Sequence, residues 1–286
     1  MKILKITLFA LTIVIANFCY AQPKQSTVLD GIYIKEHTPA RKVIPYTHLR
    51  EADVKWLKRI WRRIDLREKI NHPFFYPTTP INNRKSLFDV IKEAMINEGT
   101  ITAYSTGALG IDDEFTQQLT VDEVKLMLFR MDTVYTMNEE TGEQDMTLVQ
   151  NDIKTDKVKM YELKEEWFFD KQKSVMEARI IGIAPIIESI NKETGEFKGY
   201  LKLFWIYFPE ARFVFANAEV FNRFNDSERR TYEDIFWKRQ FGSYITKETN
   251  VYDRAINEYK AGLDALLEAE RIKEDIFNYE HDVWNF

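Results

Sequence analysis

The residues of this 286-residue chain that could bind a metal or perform catalysis are dispersed along it. Zinc sites typically have histidine or cysteine ligands at short spacings, as in the H-E-x-x-H motif, which places two histidines on one face of a helix. The chain has no such motif, and its four histidines are far apart: His37, His48, His72 and His281. The spacing therefore predicts no metal site, and no cofactor is expected.

Two acidic clusters are the remaining candidates for chemistry. Asp112-Asp113-Glu114 lacks the alternating D-x-D-x-D-G spacing of a calcium loop, which favours a solvated acidic loop over a cation site. Glu165, Glu166 and Asp170 could supply acid–base catalysis only if two of their carboxyl groups faced each other. There is no G-x-S-x-G nucleophile motif either, so an enzyme is the less favoured interpretation.

The first 21 residues have the pattern of a secretory signal peptide. Two lysines precede the uncharged, mostly apolar run Ile6–Tyr20, and small residues stand at Cys19 and Ala21, the −3 and −1 positions. Cleavage is predicted between Ala21 and Gln22. A retained membrane anchor is less favoured because the run is short for a span. An acylated Cys19 is disfavoured by the bulky side chain that precedes it.

Loss of this segment leaves a chain suited to an oxidising compartment. The net charge changes from −5 to −7, because Lys2 and Lys5 are removed, and the only cysteine is removed with them. The longest remaining apolar runs, Ile180–Ile187 and Leu203–Phe208, are too short to span a bilayer as helices. The mature protein is expected to be soluble in the periplasm or outside the cell, where nucleic acid is not an expected partner.

Hydrophobic periodicity predicts an α+β protein. Leu57, Ile60, Trp61 and Ile64 recur at helical spacing and predict a first helix over Glu51–Ile70. Further helices are predicted over 86–97, 121–131, 227–241 and 251–277, and strands over 100–104, 133–137, 158–169, 175–190 and 200–215. This order predicts a central antiparallel sheet that is flanked by N-terminal and C-terminal helices.

The turn residues and prolines divide the chain further. Residues 138–143 and 191–196 share the pattern Asn-x-Glu-Thr-Gly-Glu between strand-like runs, so both are predicted hairpin tips. The predicted organisation is a signal peptide over 1–21, an extended segment over 22–45 and a single α+β domain over 46–286. The end of that domain, 227–286, could form a helical subregion.

Basic residues are concentrated in the first third of the chain. Residues 30–85 have 13 basic and 6 acidic residues, net +7, whereas residues 86–170 have 7 and 19, net −12. On the predicted first helix, Trp56, Arg59 and Arg63 lie at i, i+3 and i+7, away from the apolar stripe. A tryptophan beside arginines is typical of an interface hot spot, so these three are the predicted partner interface. Packing of Trp56 within the subunit is the alternative.

Long segments of the sequence resemble the GldN family of gliding-motility proteins, also called PorN. The segments that carry the resemblance are residues 48–54, 59–62, 64–71, 86–91, 166–172, 179–185, 216–223 and 234–241. They cover nearly all of the mature chain, and the match is weakest after Leu263.

The resemblance implies a periplasmic structural component of the type IX secretion and gliding machinery. It implies self-association in a ring with an outer-membrane lipoprotein of the GldK/PorK type, and a link to the inner-membrane motor proteins GldL and GldM. It implies no catalytic residues. The rival interpretations are a periplasmic enzyme that acts on cell-wall glycan, with the aromatic residues as a sugar platform, and a calcium- or ligand-binding module.

Overall fold

The computed structural model describes residues 42–81, 84–108, 110–137, 144–190, 196–222, 225 and 227–284. For residues 130–137, 144–151, 190 and 284 only the backbone is described. The predicted signal peptide, with its cleavage site at Ala21 and Gln22, lies outside the described residues, as does most of the predicted extended segment 22–45.

Most of the strands belong to one antiparallel sheet. The strands are β1 (Val54–Asp65), β2 (Ala103–Tyr104), β3 (Phe129–Met137), β4 (Gln144–Asp152), β5 (Val158–Asp170), β6 (Val175–Ile190), β7 (Phe197–Lys202), β8 (Trp205–Tyr207), β9 (Glu219–Val220), β10 (Arg230–Thr231) and β11 (Tyr244–Glu248). Among the described residues, the main sheet has the order β11-β1-β5-β6-β8-β2, and β7 pairs with β6. Strands β3 and β4 pair with each other, as do β9 and β10.

The helices pack against one face of the main sheet. They are α1 (His72–Phe75), α2 (Leu87–Glu93), α3 (Val121–Leu128), α4 (Phe208–Asn217), α5 (Tyr232–Trp237), α6 (Ile256–Tyr259) and α7 (Leu263–Trp284). The main core joins this sheet face to aromatic side chains of α1, α4 and α5, among them Phe74, Phe208, Phe215, Tyr232 and Phe236. A second cluster joins Ile60 and Ile245 to α6 and α7.

The α+β class and the antiparallel sheet are confirmed, but the predicted first helix is wrong. Residues 54–65 form β1, a central strand between β11 and β5. Trp56, Ile60 and Ile64 are four residues apart, a spacing that lies on one side of both a helix and a strand. Trp61 is buried on the opposite face, against Trp205, so β1 has buried apolar side chains on both of its faces.

Several other predicted elements differ in extent. The helix predicted over 121–131 ends at Leu128, and the next strand starts at Phe129. The strand predicted over 200–215 gives way to helix α4 at Phe208, where Pro209 occupies the first turn. The helix predicted from Ser227 starts at Tyr232, because Thr231 and Asp234 form the capping box there. The final helix predicted over 251–277 is two helices, and the longer one starts at Leu263 after Gly262 with a φ of 57°.

The residues predicted to cap two helices do so in the structure, and the strands beside the predicted hairpin tips pair with each other. The Ser86 hydroxyl accepts a hydrogen bond from the Asp89 N–H, and Thr120 forms a capping box with Glu123. The strands on either side of both predicted hairpin tips pair antiparallel, β3 with β4 and β6 with β7. The tips themselves, at 138–143 and 191–195, lie outside the described residues.

A glycine allows the loop after β2 to pack on the sheet. Phe115, which has a φ of 58°, lies over Gly182 of β6 between the rings of Tyr104 and Trp205. A Cβ at Gly182 would stand 2.4 Å from the Phe115 ring. The neighbouring rings confine Phe115, so the ring has little room to move aside.

Gly182→Ala is therefore expected to lower the free energy of unfolding by about 1–3 kcal/mol, the usual cost of overpacking. Chemical denaturation measures this change. Phe115→Leu shortens the opposing side chain, so the cost of Gly182→Ala should fall in that background. An equal cost in both backgrounds would show that the two residues do not compete for space.

Candidate partner-binding surfaces

The three residues predicted to form one interface lie on opposite faces of β1. Trp56 faces α7 and stacks on Tyr279, with 4.9 Å between the ring centroids. Arg59 and Arg63 lie on the other face, because odd and even positions of a strand point in opposite directions. The shared helical face of Trp56, Arg59 and Arg63 is therefore wrong, and Trp56 packs within the subunit. A role of the arginines at a partner interface stays a prediction.

The β1–β5 face that holds Arg59 and Arg63, here called the ionic face, pairs its charges within the chain. Arg59 Nε donates to Glu166 Oε1 at 3.1 Å. Arg63 Nε lies 3.9 Å from Glu162 Oε2, and Lys202 Nζ lies 3.1 Å from the same oxygen. The cross-strand register of β1 and β5 places Arg59 opposite Glu166 and Arg63 opposite Glu162.

The predicted acidic loop supplies a buried partner to the ionic face. Lys164 is buried, and its Nζ donates to the Asp113 backbone oxygen at 2.5 Å and to Asp113 Oδ1 at 3.0 Å. Asp112 accepts hydrogen bonds from the Glu114 N–H and the Thr116 hydroxyl. The loop is thus tied to the fold rather than simply solvated, and the described residues contain no group of three or more His, Cys, Asp or Glu that could hold a metal ion.

The opposite face of β5 contains a second buried charge. Glu165 is fully buried and accepts from Arg239 Nη2 at 2.8 and 2.9 Å and from Trp167 Nε1 at 3.0 Å. Burial lowers the pKa of the Arg62 guanidinium, which lies 3.9 Å from Glu165, and the carboxylate opposes that shift. Glu165 and Glu166 point to opposite faces, so they do not form the carboxylate pair that catalysis would need.

A groove beside β6 is occupied by the start of the described chain. Tyr46 stacks on Trp237, and the Arg212 guanidinium lies 4.1 Å from the Tyr46 ring centroid. Arg212 also donates to the Ile44 carbonyl oxygen at 2.8 Å and to Glu233 Oε1. Burial raises the pKa of Glu233, and the hydrogen bond from Arg212 opposes the shift. These aromatic rings stack on each other, so they do not form an open sugar platform.

Helix α7 has apolar side chains on two opposite faces. Ala269, Ile272 and Ile276 are buried against the sheet. On the other side, the exposed fractions of four large side chains are 70% for Leu263, 56% for Leu266, 59% for Leu267 and 66% for Phe277. These four residues are here called the outer face of α7.

Comparison with known proteins places this chain in a family. A family model described as gliding motility associated protein GldN matches residues 49–285. The chain belongs to the GldN family. No curated protein matches the sequence.

Membership identifies this GldN-family chain as a component of gliding motility. The match begins just before β1 and ends at the last residues of α7, so it includes both the ionic face and the outer face of α7. In the part of the chain that the structure describes, every helix is too short or too polar to cross a bilayer.

The ion pairs of the ionic face are expected to stabilise this GldN-family protein. Arg59→Glu with Arg63→Glu would place like charges opposite Glu166 and Glu162, and Glu162 is buried. The free energy of unfolding should fall by about 1–3 kcal/mol, since loss of a buried carboxylate's partner is costly and Lys202 compensates in part. Thermal and chemical denaturation measure the change.

Lys55→Glu is the matched control, because Lys55 is an exposed cation on the same strand. It should change stability by less than about 0.5 kcal/mol. If the double variant were as stable as this control, the two arginines would not depend on their pairs within the chain.

Proposed function

We propose that this chain is a non-enzymatic structural subunit of the type IX secretion and gliding machinery. In this proposal it acts in the periplasm, where it assembles with an outer-membrane lipoprotein of the GldK/PorK type into a ring. The observation that carries the proposal is the outer face of α7. A helix that is apolar on one side only suffices to cover a sheet, whereas this helix has a second apolar side.

The outer face of α7 has the composition of an interface centre. Leu263, Leu266 and Leu267 lie within two turns of one another, and Phe277 follows on the same side. Exposed leucines this close together usually mark a binding surface in soluble proteins. By helical geometry, Glu270 and Glu274 lie on the same face, between the leucines and Phe277, and Asp264 lies beside it. Apolar side chains with charged residues next to them are a usual composition of a protein–protein interface.

The chemistry of the described residues favours assembly over catalysis. The carboxylates that the sequence offered for catalysis are bound by arginines on opposite faces of β5, Glu165 by Arg239 and Glu166 by Arg59. Contact with the motor proteins GldL and GldM belongs to the same proposal, and the family's association with gliding motility supports it.

Substitution of the outer face tests the proposal. Leu263→Glu with Leu267→Glu should leave folding nearly unchanged, because both side chains are already exposed. Assembly should weaken at least tenfold, since a buried hot-spot side chain contributes about 2 kcal/mol or more to binding. The measurement is the amount of protein that co-purifies with the large envelope complex.

Leu126→Glu is the matched control, because Leu126 is also a helical leucine and is 76% exposed on α3. This variant should assemble like the wild type. Normal assembly of the Leu263/Leu267 variant would show that α7 does not meet a partner.

The proposed location in the periplasm leads to a separate prediction, that the N-terminal segment is cleaved during export. The lysine-containing start and apolar run of residues 1–21 should be removed, so that the mature chain starts at Gln22. Intact-mass measurement on protein from the periplasm checks this expectation. A mass that includes residues 1–21, or a lipid on Cys19, would contradict a freely periplasmic protein.

A further inference from the structure

Strand β7 presents an exposed apolar surface at an edge of the main sheet. Phe197, Tyr200 and Leu201 are 57%, 42% and 40% exposed. The rings of Phe197 and Tyr200 contact each other, with 5.0 Å between their centroids. Among the described strands, β7 pairs with β6 alone. These three residues and Lys198 are here called the β7 edge, and exposed apolar side chains this close together usually mark a binding surface.

The β7 edge is basic. The strand reads Phe-Lys-Gly-Tyr-Leu-Lys, so it has two basic residues and no acidic residue. Lys202 Nζ lies 3.1 Å from Glu162 Oε2 on the ionic face. Lys198 is exposed, and it has no ion-pair partner among the described residues. The β7 edge therefore combines apolar side chains with a positive charge that the described residues do not neutralise.

Helix α7 has the opposite charge. It contains seven acidic and two basic residues, a net charge of −5. Both basic residues are paired with acidic residues of the same helix. In the described part of the chain, Asp264 and Glu274 have no ion-pair partner. By helical geometry Glu274 lies on the outer face of α7 and Asp264 lies beside it, so this face combines leucines with unneutralised negative charge.

Neither surface is suited to a contact with its own copy. Two outer faces of α7 would bring acidic residues together, and two β7 edges would bring Lys198 against Lys198. Like charges within a contact oppose association, and a lysine on an edge strand hinders edge-to-edge pairing. A contact between the two unlike surfaces instead joins leucines to aromatic rings and acidic residues to a lysine.

We propose that the outer face of α7 docks on the β7 edge of a second copy of this chain. This inference rests on the proposed function, and it names the partner of the surface that carries it. Helix α7 packs on β1 and β11, whereas β7 lies beyond β5 and β6 in the sheet. Each copy therefore gives one surface and receives a partner at another. This is a head-to-tail contact, which closes into a ring when the rotation permits.

Cross-linking between two differently tagged chains tests this contact, because the predicted mature chain has no cysteine. One chain carries Tyr200→Cys or Leu201→Cys, and the other carries Leu263→Cys, Leu267→Cys or Phe277→Cys. Both are full-length and are produced together in the native envelope. A bismaleimide cross-linker, which tolerates imprecise placement of two thiols, should give a covalent dimer that contains both tags for at least one combination.

Charge reversal tests the complementarity of the two surfaces. Lys198→Glu in the chain with the β7 cysteine should lower the dimer yield by about fivefold or more, because like charges then meet. Asp264→Lys with Glu274→Lys in the chain with the α7 cysteine should lower it to a similar extent. When the two chains carry both changes, opposite charges meet again and the yield should largely recover.

Two controls define specificity and background. Lys198→Glu in the chain with the α7 cysteine is the matched control, and it should leave the yield unchanged because the β7 edge of that chain takes no part in the trapped contact. Leu126→Cys, on α3, replaces the α7 cysteine and gives the background yield for an exposed helical position.

Two results would overturn the proposal. Mixed dimers no more abundant than the Leu126→Cys background for every combination would show that α7 does not meet β7. Stronger cross-linking between two chains that both carry Leu267→Cys would show that α7 pairs with α7. The variant with Leu263→Glu and Leu267→Glu separates these results from failure of the proposed function. If that variant still loses co-purification while mixed dimers are absent, α7 meets another protein and the proposed function stands.

Discussion

Buried charges on the central strand β5 are the constraint on which this fold depends. Lys164 and Glu165 are consecutive residues of β5, both are almost completely buried, and they point to opposite faces of the sheet. A buried charge without a partner costs several kcal/mol, so each face must bring an opposite charge from another part of the chain. Asp113 comes from the loop after β2, and Arg239 comes from the residues after α5.

This constraint explains two unusual backbone positions. Arg239 has a φ of 51° at the end of α5, where glycine is the commoner residue, and its guanidinium reaches Glu165 from there. Phe115 has a φ of 58° two residues after Asp113, in the loop that covers Lys164. The charges of the central strands are thus paired within the subunit, and the outer face of α7 remains exposed.

The sequence was informative where interactions are local. The caps at Ser86 and Thr120 and the pairing of β3 with β4 and of β6 with β7 depend on neighbouring residues, and each was predictable. The first element was not, because apolar residues spaced by four fit a strand as well as a helix. The partner of Glu165 is 74 residues away in sequence, so no local pattern indicated Arg239. The outer face of α7 could not be distinguished from a core stripe, because periodicity does not show which of two apolar sides is buried.

A double-mutant cycle on Glu165 and Arg239 tests the central claim most directly. Arg239→Gln should destabilise the protein by about 3–5 kcal/mol, because it removes the charged partner of a fully buried carboxylate, and Glu165→Gln should cost less, because the Arg239 side chain is partly exposed. The double variant should be less destabilised than the sum of the two, with a coupling energy of at least about 2 kcal/mol. Additivity within about 0.5 kcal/mol would contradict the claim that these buried charges hold the sheet and the C-terminal helices together.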